Sequence, residues 1–301
     1  MACEFKWSPL LPILLLAGMA GVSRAGNIAV YWGQNVGEGT LAEACNSGYA
    51  YVIVAFLSTF GNGQAPALNL AGHCDQNSGT CARFSSEITA CQANGVKVLL
   101  SIGGGSGGYG LSSTEEAQSL ATYLWDSFLG GSGTRPLGDA VLDGIDFDIE
   151  TGNQAHYDEL ATFLSQLGAQ GGKKMYLTAA PQCPYPDASL DRALQTGLFD
   201  NVWVQFYNNP PCQYTSGSGD ASSLLSAWNT WTSSVKVSGS FYLGVPASKD
   251  AAPSGGYVPP GELTSTVLPG VKGAGNYGGI MVWDRFNDVQ YSYSSQVKDS
   301  V

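Results

Sequence analysis

The chain has 301 residues, of which 44% are apolar, 12% are charged and 40 are glycine. That apolar share can bury a sizeable core and excludes a disordered chain, while the low charge leaves the surface to neutral polar groups and turns. With 13 Lys and Arg against 24 Asp and Glu, the formal net charge of −11 repels a phosphate backbone or an anionic membrane, so neither is an expected partner.

The first 25 residues read as a secretory signal peptide cut before Gly26. Lys6 gives a short positive start, Leu10 to Gly21 is an apolar run, and Ser23-Arg24-Ala25 places small residues at the cleavage site. About 12 apolar residues are too few to cross ~30 Å of hydrocarbon. Cleavage removes Lys6, Arg24 and Glu4, leaving 276 residues with a net charge of −12. Extracellular release is the expected destination, with the vacuole or another secretory compartment left open. Cys3 leaves with the leader, and six cysteines remain: Cys45, Cys74, Cys81, Cys91, Cys183 and Cys212. An even number in a secreted chain points to three disulfides, for which 15 pairings exist. A zinc site is not expected, because no Cys-x-x-Cys occurs and there are only two histidines, His73 and His156.

Eight apolar, β-rich runs follow in chain order: 27–32, 51–56, 96–102, 140–149, 174–179, 202–207, 241–245 and 279–283. They are nearly continuous in apolar character, as strands covered on both faces are. Helical periods separate them. Ala117, Leu120, Ala121, Leu124 and Phe128 share one face behind a capping box from Ser113 to Glu116, and Tyr157, Leu160, Ala161, Leu164 and Leu167 share another. Eight alternating units without a linker predict an α/β fold, a single (β/α)8 TIM barrel over residues 26–301, expected as a monomer.

The chemistry concentrates at the end of the fourth run, Asp143-Gly-Ile-Asp-Phe-Asp-Ile-Glu150. Strand alternation sends Ile145, Phe147 and Ile149 to the helices and Asp146, Asp148 and Glu150 into the barrel. Stacked acids repel one another, so at least one keeps its proton toward neutrality and becomes a general acid. Glu150, last and nearest the C-terminal rim, is the expected proton donor. A calcium or magnesium site is the competing reading of the same acids. The run Gly103 to Gly108 also satisfies G-x-G-x-x-G, but the acidic partner of a dinucleotide site would fall inside the following helix. Those glycines read more simply as places where a ligand approaches the backbone.

The acidic run resembles the DxxDxDxE signature of family 18 glycoside hydrolases, and Ser101-x-Gly103-Gly104 is similar to that family's second motif. End to end, the chain resembles the hevamine-like class III chitinases of plants. The likeness is carried by Val30-Tyr-Trp-Gly-Gln-Asn35, Arg135–Ala140, Leu177–Cys183, Val204-Gln-Phe-Tyr-Asn-Asn-Pro-Pro-Cys212 and Tyr277–Trp283. The resemblance implies an endochitinase acting on chitin and N-acetylglucosamine oligosaccharides, with retention and no required cofactor. Glu150 would protonate the glycosidic oxygen, Asp148 and Tyr207 would hold the substrate's own acetamido group as the nucleophile, and Asp146 would support Asp148 by sharing a proton. It further implies substrate contacts at Tyr31, Gln34, Asn69, Gly104, Gln205, Asn208 and Trp283. Disulfides Cys45–Cys91, Cys74–Cys81 and Cys183–Cys212 are implied as well, with cis peptides at Ala55–Phe56 and Trp283–Asp284. Cereal relatives of this fold that act as protein inhibitors have an altered signature, whereas Asp148, Glu150 and Tyr207 are all present here. The alternative reading is a binding or storage protein on the same barrel, whose acidic surface holds calcium weakly at many sites.

Overall fold

Ten strands form one sheet in a computed structural model that describes residues 1, 26–150 and 155–301. The expected leader, Met1 apart, lies outside the described residues. The strands are β1 (Asn27–Trp32), β2 (Tyr51–Gly61), β3 (Gln64–Leu68), β4 (Lys97–Gly104), β5 (Gly108–Tyr109), β6 (Gly144–Ile149), β7 (Tyr176–Ala179), β8 (Asn201–Gln205), β9 (Ser240–Pro246) and β10 (Tyr277–Trp283). Eight of them run parallel in the order β1-β2-β4-β6-β7-β8-β9-β10, and β10 pairs back onto β1, Asn27 opposite Gly279, to close the barrel. Closure leaves no barrel strand with an unpaired edge.

Each expected run became a barrel strand, with ends shifted for local reasons. The fourth starts only at Gly144, because the Asp143 side chain turns back to accept from Val98 N at 3.0 Å and Gln92 Nε2 at 2.9 Å. The second runs past Phe56 to Gly61, where it leaves the barrel and pairs antiparallel with β3. The turn between them holds Gly61, Asn62 and Gly63 at φ 68°, 51° and 72°, a conformation that Asn-Gly tolerates well.

Apolar side chains sort into two layers. On β1, Ala29 and Tyr31 face inward with Ile53, Ala55, Leu99, Trp203, Tyr242 and Met281, while Val30 and Trp32 join the larger core between barrel and helices. The helix Thr114–Leu124 buries Ala117, Leu120, Ala121 and Leu124, and Tyr157–Gln170 buries Tyr157, Leu160, Ala161 and Leu164. The capping box is only half formed. Ser113 accepts from Glu116 N at 3.2 Å, but the Glu116 carboxylate reaches Ser112 N and Gly63 N, tying the helix to the β2–β3 turn. The disulfides are Cys45–Cys91, Cys74–Cys81 and Cys183–Cys212. Each stabilises the chain by about 2–4 kcal/mol, and Cys45–Cys91 pins the short helix Leu41–Cys45 to the helix Phe84–Ala93.

Candidate active site

Alternation along β6 builds the site. Ile145, Phe147 and Ile149 pack outward in the core, and Asp146 and Asp148, both buried, point into the barrel. Asp146 lies beneath the site and is held by four donors. Tyr31 Oη and Ser101 Oγ donate to Oδ2 at 2.7 Å each, and Thr178 Oγ1 and Trp203 Nε1 donate to Oδ1 at 2.7 and 2.8 Å. Those bonds occupy the lone pairs a cation or a second carboxyl proton would need. Burial pushes the Asp146 carboxyl up, and the four hydrogen bonds pull it back down. The carboxyl stays raised on balance, with burial the larger cause.

Asp148 and Glu150 stand one step higher on the same side of the strand. The two side chains are hydrogen-bonded to each other, and both carboxyls are raised. Burial is the first cause for each; Asp148 is raised further by the charges of Glu150 and Asp146. Gln205 Nε2 donates to Asp148 Oδ1 at 2.9 Å and to Ala180 O at 2.9 Å, which fixes the amide beside the pair. Burial, then Asp148 and Glu150, also push the Tyr207 phenol well above its ordinary value, so its hydroxyl stays a donor.

A hollow of about 130 Å³ opens above the pair, lined by Tyr31, Gly105, Asp148, Glu150, Gln205, Tyr207, Asn208 and Trp283. Trp283, half-buried at the end of β10, forms its apolar wall with Tyr31 at 5.5 Å and Phe56 at 6.1 Å between ring centres. The peptide bonds Ala55–Phe56 and Trp283–Asp284 are cis. A larger hollow of about 640 Å³ beside Cys183–Cys212 has no acid in its wall, so size does not pick out the site.

Three of the expected contact residues do not line this hollow. Gln34 sits after β1 and spends its amide on Ala55 O at 2.8 Å and Asn69 O at 3.1 Å. Asn69 is exposed and uses Oδ1 to accept from Ala71 N. Gly104 is buried under the Phe56 ring, 3.0 Å from where a Cβ would stand. Asn208 reaches the hollow but also fastens the loop at Ser254, whose N–H it accepts at 2.9 Å.

The structure adds residues that the strand pattern did not single out. Tyr109 donates to Gly104 O at 2.6 Å and accepts from Glu150 N at 3.0 Å, bracing the backbone under the acid. Gly103, at φ 109°, lets β4 approach β6: a Cβ there would stand 2.1 Å from Asp148 O. Gly105 faces Glu150 directly: a Cβ there would stand 3.0 Å from Oε2. The glycine run is thus shaped by the acidic strand. His73, in the loop after the β2–β3 hairpin, packs its ring against Trp32 and bonds Glu38 at 3.0 Å. Glu38 in turn accepts from Gly33 N and Asn35 N on either side of Gln34. No signal for that pair was visible, since the partners are 35 residues apart.

The chain matches the family described as glycosyl hydrolases family 18 over residues 27–256. It belongs to family 18 of the glycosyl hydrolases. Among its relatives is an acidic endochitinase of Cicer arietinum, 61% identical over 291 residues, covering 96% of this chain and 97% of that one. A chitinase structure from Ipomoea carnea superposes with a TM-score of 0.88 at 48% identity, over 92% of this chain and all of the other. A xylanase and alpha-amylase inhibitor protein from Scadoxus multiflorus superposes with a TM-score of 0.85 at 44% identity, over 92% and 99% of the two chains. As a family 18 member this barrel is a glycosidase, with Asp146 and Asp148 on its fourth barrel strand and Glu150 just past its end. Among the described residues, no three His, Cys, Asp or Glu gather as a metal-holding group. No helix among them is long and apolar enough to cross a membrane.

Proposed function

We propose that this family 18 glycosidase is an endochitinase that cuts β-1,4 linkages within N-acetylglucosamine chains with retention of configuration. The observation that carries the reading is the contact between Asp148 and Glu150. Two carboxylates acting as acid and nucleophile flank the bond from opposite sides, about 5–5.5 Å apart. Here the two are hydrogen-bonded side by side, so one proton donor faces the hollow and the nucleophile must come from the substrate.

Glu150 gives its proton to the glycosidic oxygen as the bond to the anomeric carbon breaks. The carbonyl oxygen of the substrate's own 2-acetamido group attacks that carbon from the other face, forming an oxazolinium ion. Asp148 takes up the acetamido N–H and the positive charge, and the Tyr207 hydroxyl donates to the acetamido oxygen. Gln205 donates to Asp148 beside it, and Tyr31 holds Asp146 below. Trp283 supplies an apolar floor for the sugar ring. Water then adds to the anomeric carbon, giving its proton to Glu150, and the product leaves as the β-anomer.

The decisive experiment is proton NMR of product anomers during hydrolysis of soluble chitin oligomers, with Glu150→Gln alongside. The reading expects β-anomers first from internal cuts, and a folded variant slowed by about 10²–10⁴. Initial α-anomers, or a folded wild type inert toward every oligomer, would overturn it.

A further inference from the structure

Asp187 stands outside the hollow, on the loop after β7, and is 4% exposed. Its two oxygens do different things. Oδ1 accepts from Ser189 N at 2.8 Å and Leu190 N at 2.6 Å, as the cap of a local turn does. Oδ2 reaches back to Gln182 N at 2.9 Å, which a turn cap has no need to do. Gln182 bridges Gln205 in parallel: Gln205 N donates to Pro181 O at 2.8 Å, and Cys183 N donates to Gln205 O at 3.2 Å. Gln205 is the residue whose amide rests on Asp148 and on Ala180 O of the same loop.

From this geometry we infer that Asp187 is a positioning residue for the Asp148–Glu150 pair, acting through the Gln182–Gln205 bridge and through its own buried charge. Its charge acts on both members of the pair, raising each. The groups around them are of one sign or neutral. Asp146 lies below, Tyr31 and Tyr207 face the pair, Asp284 acts on Tyr207, and Asp191 opens the short helix that follows Asp187. None of the ion pairs among the described residues involves Asp146, Asp148, Glu150 or Asp187. Asp146, Asp148 and Asp187 are buried and Glu150 is half-buried, and Asp187 is the member that no substrate need touch.

The inference rests on the reading of Glu150 as proton donor, and its test is built to separate the two. Asp187→Asn and Asp187→Ser both keep a turn cap while removing the charge, and either can be made in the full chain. Against a chitin hexamer, kcat should fall about ten- to a hundredfold with KM nearly unchanged, as for a displaced catalytic group. The alkaline limb of the kcat/KM profile should move to lower pH, because the pair gives up its proton more readily without Asp187. Carbon-13 NMR titration of labelled carboxyls should show the same downward movement for Asp148 and Glu150, whether or not the protein turns over. Variants with wild-type titration and pH profile and only a lowered Tm would overturn the proposal, as would a failure of both variants to fold. A wild type that cuts no chitin oligomer would instead overturn the endochitinase reading, and the carboxyl titration would still decide the role of Asp187.

Discussion

The Tyr31 hydroxyl donates to Asp146 Oδ2 at 2.7 Å across the barrel, so the first strand is tied to the acidic strand through the one carboxylate that does not face the hollow. Tyr31 also forms part of the hollow's wall, next to Trp283. Tyr31→Phe keeps the ring and removes the bond, leaving a buried carboxylate short of one donor. The expected loss is about 1–3 kcal/mol, read as a fall of a few degrees in Tm. In the double variant with Asp146→Asn the loss should be smaller than the sum of the two. Strict additivity would show that the bond contributes nothing.

Stability should also depend on pH through the Asp148–Glu150 pair. Burial raises both carboxyls, and Asp148 is raised further by its neighbours' charges, so the folded chain binds their proton more tightly than the unfolded chain. This contribution is fully present below the unfolded carboxylate range near pH 4 and is lost as pH rises through the raised folded values. Asp148→Asn stays neutral throughout and removes much of that slope. Calorimetry should therefore find the variant gaining on wild type between pH 4 and pH 7.5. A difference in Tm that does not change with pH would contradict the assignment.

Neighbouring glycines should fail in different ways. Gly103→Ala places a Cβ 2.1 Å from Asp148 O at a φ of 109°, so β4 and β6 must separate. A loss of about 2–4 kcal/mol is expected, visible in urea unfolding. Gly105→Ala meets only the end of the Glu150 side chain, at 3.0 Å, and its Tm should stay close to wild type while kcat falls. If Gly103→Ala were as stable as Gly105→Ala, the close approach of the two strands would not matter.

Trp283→Ala tests the floor of the hollow. The indole is packed on Phe56 at 6.1 Å and on Tyr31 at 5.5 Å, and its open face turns to the cavity. Calorimetric titration of the inactive Glu150→Gln background with a chitin oligomer should show binding weakened by about 2 kcal/mol, roughly thirtyfold in Kd. Unchanged affinity would make Trp283 a core residue of the barrel end.

Two features of the fold were open to a reader of the sequence and two of the site were not. Apolar β-rich runs at regular spacing are local signals, and each of the eight became a barrel strand because a strand buried on both faces has little freedom to be anything else. The turn at Asn62-Gly63 was equally legible and marks the β2–β3 hairpin that the pattern of eight left out. Tyr109 under Glu150 and His73 on Glu38 could not be read, since each depends on a contact between segments 35 or more residues apart.

What the sequence alone determined was alternation: Asp146, Asp148 and Glu150 share one side of a strand, and that side is the inside of the barrel. Which of the three carries which burden was decided by tertiary structure. Tyr31, Ser101, Thr178 and Trp203 come from four other strands or their ends to occupy Asp146. Above it, Asp148 and Glu150 are both raised, by burial first, and Gln205 donates to Asp148 beside them. A strand's pattern states where a carboxylate points; only the donors and charges brought to it by the closed barrel state how it holds a proton.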